Sequence, residues 1–159
     1  MKKFLCLILS LSVICILPAC SVPEDEVLLS LGDCESKEFY SRGEFRDYTD
    51  YAKYAYSQPS LEDNAFFAPV SDSDISVMYE YIDNFEEWVS ITAKQHSSDE
   101  LSANYDFDRS IIDTQDYFYI YDRMGEPIGS ESAYEKFDFY NVYFFDYQTS
   151  TLYFFHNNT

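Results

Sequence analysis

Three aromatic stretches near the C-terminus constrain this chain more than any other feature: 117–121 (YFYIY), 141–146 (NVYFFD) and 151–156 (TLYFFH). Rings of this size bury a large area each and require a core to receive them. Aromatic and β-branched residues also fit a pleated surface better than a helix. The segments between them carry turn chemistry. In 122–125 (DRMG) a glycine stands late in the turn, 126–130 is short enough for a return strand, and 147–150 (YQTS) is polar. Short strands at this spacing predict an antiparallel meander. Alternation puts Tyr117, Tyr119 and Tyr121 on one face of their strand and Phe118 and Ile120 on the other. The tyrosine face is a candidate ligand surface, because phenol rings stack on sugars and on cations.

Upstream, the apolar period lengthens. Ile75, Met78, Tyr79, Ile82, Phe85 and Val89 recur at helical spacing and predict a helix over about 72–93. Ser71 and Asp74 have the spacing of a capping box, and Asp72 and Asp74 complement the positive end of the helix dipole. A second stripe, Phe45, Tyr48, Ala52, Ala55 and Tyr56, predicts another helix over 44–57, with Pro59 as its stop. The five apolar residues of 27–31 do not decide between strand and helix. The fold class that follows is α+β, with two N-terminal helices packed on a three- to five-stranded antiparallel meander sheet in a single domain, 36–159.

The N-terminus is of another kind. Lys2 and Lys3 precede the apolar run 4–17, which falls short of the ~20 residues of a membrane span. Leu17, Pro18 and Ala19 then lead into Cys20. This pattern resembles a bacterial lipoprotein precursor, with a signal peptide over 1–19 and a lipobox ending at the cysteine. The resemblance implies that Cys20 is acylated, that the chain is cut just before it, and that the protein faces outside the cytoplasm on a lipid anchor. Pro18 departs from the small or hydroxylated residues more usual at that position. Segment 20–35 then reads as the acylated cysteine and a tether. Cys6 and Cys15 leave with the signal, so Cys34 has no partner for an internal disulfide. It is expected to behave as a partly buried small hydrophobe.

The chain carries 29 acidic against 10 basic residues, a net charge of −19. Such a surface repels nucleic acid and favours cationic partners. Motifs for catalysis are scarce. His96 and His156 are the two histidines, no G-x-S-x-G elbow is present, and no glycine-rich phosphate loop occurs. Zinc fails on ligand count, and no cofactor motif is found. The alternating acids Asp72–Asp74 and Asp106–Asp108 have the look of loop calcium ligands but lack the glycine and distal glutamate of an EF-hand. The expectation is a non-catalytic, membrane-anchored binding module for a glycan or a cationic protein. The alternatives are an acidic inhibitor or immunity-type protein that masks a basic partner, and an envelope or sugar hydrolase.

Overall fold

The computed structural model describes residues 25–44, 47–95, 99–129 and 132–158. Its centre is a six-stranded antiparallel sheet in the order β1-β2-β8-β7-β4-β3. The strands are β1 (Ser36–Glu44), β2 (Asp47–Ala55), β3 (Ala68–Pro69), β4 (Tyr117–Asp122), β7 (Phe139–Asp146) and β8 (Thr151–Asn158). Two-residue strands β5 (Pro127–Ile128) and β6 (Ser132–Ala133) form a separate small hairpin. The helices are α1 (Glu26–Ser30), α2 (Asp72–Gln95) and α3 (Glu100–Asn104), with a 3-10 turn at Arg109–Ile111.

The α+β class holds, and the three C-terminal aromatic stretches are the neighbouring strands β4, β7 and β8. Two expectations are corrected. Within the helix expected over 44–57, Asp47–Ala55 is strand β2, paired with β1 on one side and β8 on the other, Glu44 ends β1, and Phe45 lies outside the described residues. The sheet therefore has six strands, and one long helix packs on it instead of two. The stripe at 48, 52, 55 and 56 misleads because β2 is buried on both faces. Tyr51 meets the helix side while Ala52 and Tyr54 meet the other, so no polar alternation marks the period of two. Within the segment expected as a tether, Glu26–Ser30 forms α1, and Val27 and Leu31 are buried.

Helix α2 lies over one face of the sheet. All six residues of its predicted stripe belong to that core, with Met78, Ile82 and Phe85 fully buried. Asp74 accepts from the backbone N–H of Ser71 at 2.9 Å, which is one half of the expected capping box. Phe118 and Ile120 point to this helix side, as the alternation predicts.

The second face is covered differently. Segment 56–67 crosses it, and Leu61 and Phe67 are buried there beside Val27 and Leu31 of α1. Asp25 caps α1, accepting from Val27 N–H at 2.9 Å, and also accepts a hydrogen bond from the Tyr143 hydroxyl. That pair pins α1 to β7. The cover reaches Tyr143, Phe145, Leu152 and Tyr54, and stops short of the far ends of β1, β2, β8 and β7.

Candidate functional site

The uncovered half of the second face holds a cleft of about 630 Å³. Its floor comes from the sheet: Asp50 and Tyr54 of β2, Phe154 and His156 of β8, and Asn141 of β7. Lys37 and Phe39 of β1 and Tyr48 of β2 form one wall. Leu28, Leu29 and the 32–34 turn form the other. Gly32 makes that turn possible. Its φ is +91°, a conformation that side chains disfavour, and it lets the chain leave α1 at once.

The floor is a polar row across four strands. Ser41 is opposite Asp50, Asp50 opposite His156, and His156 opposite Asn141 in the strand register. Side chains opposite one another in antiparallel strands have Cβ atoms about 4.5–5.5 Å apart, so the row is contiguous. Asn141 Oδ1 contacts His156 Nδ1. A carbonyl oxygen can only accept, so Nδ1 carries the ring proton and Nε2 keeps its lone pair. Burial pushes the imidazole pKa down to about 4, against an opposing backbone hydrogen bond at Tyr140. Burial likewise raises the carboxyl pKa of Asp50, opposed by a hydrogen bond with Ser41.

Both side chains are over nine-tenths buried, with Asp50 8% and His156 5% exposed. Yet Asp50 Oδ1 and His156 Nε2 have no hydrogen-bond partner in the protein, and among the described residues they are the only buried side-chain polar atoms in that state. Rings surround them. Tyr48 lies 4.8 Å from the imidazole, Phe139 stands edge-on at 5.1 Å, and Phe154 stacks parallel at 6.3 Å. Tyr48 keeps its place because its partner across the hairpin is Gly43. A Cβ there would sit 2.3 Å from that of Tyr48.

The lysine of the wall is placed with equal care. Lys37 Nζ rests 4.9 Å from the Phe39 ring centre and 5.2 Å from that of Tyr54. Phe39, Tyr48 and Leu29 are three of the seven large hydrophobics exposed among the described residues, and all three border this cleft.

The residues singled out from sequence fall elsewhere. Leu17, Pro18, Ala19, Cys20 and His96 lie outside the described residues. Tyr117 and Tyr119 are half-buried against the second core, with Phe66 edge-on to Tyr119 at 5.5 Å. Tyr121 donates to Glu126 at 3.1 Å, and none of the three lines the cleft. Cys34 is exposed rather than partly buried, because the chain turns outward after α1. It lines the cleft and precedes Glu35, whose N–H donates to the Ala55 carbonyl at 2.8 Å.

The paired acids have structural partners. Asp74 caps α2, and Asp106 accepts from Tyr51 and Lys53 at 2.9 Å each. Asp108 accepts from Ser110 N–H at 2.9 Å. Among the described residues no three His, Cys, Asp or Glu side chains are grouped to hold a metal.

No family model matches the chain, and no curated protein or solved structure is similar to it. Sequence reasoning weighed His156 only as a catalytic base and passed over Asp50 and Asn141. The available signal was a polar side chain set inside an otherwise aromatic strand, as in YFFHNN and DYTDYAKY.

Proposed function

We propose that this protein is a non-catalytic binding module, tethered to the outer side of a cell membrane through lipid on Cys20, whose ligand enters the cleft over Asp50 and His156. One observation carries the binding site. Two buried acceptor atoms, on cross-strand neighbours that line an aromatic cleft, lack partners in the chain. Leaving such atoms unsatisfied costs about 1–3 kcal/mol each, and a fold has little reason to bear this outside a functional site. The anchor rests on the lipobox pattern at Leu17–Cys20. Among the described residues no helix is long and apolar enough to cross a membrane.

The hydrolase alternative draws on the same pair, since an acid and a base with displaced pKa values mark candidate active sites. It lacks a nucleophile. Among the described residues no hydroxyl or thiol is within hydrogen-bond reach of His156 Nε2, as a serine- or cysteine-type hydrolase requires.

Two experiments test the proposal. Cys20→Ser should abolish fatty-acid labelling and release the chain from membranes, and a labelled, membrane-bound variant would refute the anchor. For the cleft, the lipidated chain in detergent is labelled with ¹⁵N-histidine and titrated with a mixed set of neutral, anionic and cationic fragments. At least one class should move the His156 Nε2 resonance. If none does, the cleft is not a binding site.

A further inference from the structure

Resting on the cleft as the ligand site, we propose that it recognises a primary ammonium group carried on an apolar body, the nitrogen donating to Asp50 Oδ1 and His156 Nε2. The argument starts from what the floor offers. Both unpartnered atoms are acceptors: a carboxylate oxygen, and an imidazole nitrogen whose ring proton is committed to Asn141 on the opposite side. Both atoms are closed to solvent, so a ligand that satisfies them must move the side chains over them and bring at least two N–H or O–H donors to the pair. A primary ammonium has three, and its positive charge also compensates Asp50.

The rings select in the same direction. Tyr48 is tilted at 35° to the imidazole 4.8 Å away and Phe154 is parallel to it at 6.3 Å, so a cation at this point has π-electron density of more than one ring nearby. The wall already holds one ammonium in this way. Lys37 Nζ lies over Phe39 and Tyr54, which shows that the ring spacing of the cleft accommodates an alkylammonium. Leu28 and Leu29 give the carbon body an apolar surface.

Charge at the floor favours the cation. The chain is at −19, Asp25 and Asp33 line the cleft, and its one lining cation, Lys37, rests over Phe39 and Tyr54 while the floor presents no free donor to a carboxylate or phosphate. The volume suits a small aromatic amine, and the open mouth also admits a lysine side chain from a polypeptide. The recognised chemistry is the same in both.

The test uses the lipidated full chain in detergent, with calorimetry and the His156 ¹⁵N resonance as readouts. The probes are phenethylammonium, phenethyl alcohol, phenethyltrimethylammonium and Nα-acetyl-lysine methylamide. Phenethylammonium should bind at least tenfold tighter than the alcohol, which lacks charge, and tenfold tighter than the quaternary ion, which lacks N–H donors. Asp50→Asn should erase the preference for amine over alcohol. Binding of the lysine derivative at comparable affinity assigns the ligand to a protein side chain, and its failure beside a binding phenethylammonium assigns it to a small amine. Equal affinity for amine and alcohol, or for amine and quaternary ion, overturns the inference while leaving a binding cleft. Silence from all four probes together with the fragment set removes both. The comparison among probes on the native chain needs no variant, so a folding defect in Asp50→Asn cannot obscure the result.

Discussion

On the helix side of the sheet, buried hydroxyls have destinations. Tyr140 donates to Asn84 at 3.0 Å, Tyr81 to Asp122 at 3.0 Å, Tyr105 to Glu86 at 3.0 Å and Tyr51 to Asp106 at 2.9 Å. On the other side, Asp50 and His156 are as deeply buried, and each keeps one polar atom that nothing in the chain reaches. The two faces share strands, aromatic content and solvent. They differ in finish. Helix α2 brings Asn84 and Glu86, the segment after α3 brings Asp106 and β4 brings Asp122 to those hydroxyls, while α1 and segment 56–67 cover only half of the second face. The lesson is that tyrosine serves a dry core well when an acid or amide is delivered to its hydroxyl. Where no element delivers a partner, the same kind of surface becomes a site.

The largest test of this contrast is Phe85→Ala. The ring is fully buried on the helix side, edge-on to Phe155 at 5.3 Å. Its removal should cost about 3–5 kcal/mol in urea unfolding. A loss below about 1 kcal/mol would mean that the helix face is loosely packed and the contrast is false.

A smaller effect belongs to the cleft. The His156 pKa is about 4 when folded against 6.5 when unfolded, so the unfolded chain binds the extra proton in that window. Stability contributed by keeping the ring neutral is present above pH 6.5 and is lost as pH falls. Between pH 7 and pH 5 the loss comes to about 2 kcal/mol. The raised pKa of Asp50 works in the opposite sense, because protonation relieves the buried charge. Comparing the native chain with His156→Gln isolates the histidine. The variant should lose about 2 kcal/mol less over this interval, and an identical pH profile would place the imidazole in contact with solvent.

Smaller again is Tyr140→Phe. It deletes a hydroxyl that bonds Asn84 and the Tyr81 carbonyl. Destabilisation by about 1 kcal/mol is expected. No loss would show that the hydrogen bonds of the helix side contribute as little as the cleft's unmade ones.

What the sequence disclosed follows from where polarity alternates. Helix α2 is legible because its outward face is charged, so Met78, Ile82 and Phe85 stand out as a stripe. Strands β4, β7 and β8 are legible by aromatic density alone. Strand β2 was not, since tyrosines serve both of its faces and Ala52 and Ala55 also fit helical spacing. The cleft was illegible for a further reason. Asp50, Asn141 and His156 are 91 and 15 residues apart in sequence, and only the β2-β8-β7 register brings them into one row. Tyr117, Tyr119 and Tyr121 were correctly read as sharing a face. The cover over that face comes from segment 56–67, whose path no local pattern encodes.

The central claim is that the Asp50–His156 floor is kept for a ligand rather than for the fold, and the unfolding free energy of Asp50→Asn at pH 7.5 tests it most directly. The amide retains an oxygen for Ser41 and sheds the buried charge. The account expects the variant to be more stable than the native chain by about 1 kcal/mol. A loss of 1 kcal/mol or more would show that the carboxylate holds the sheet together and would contradict the claim.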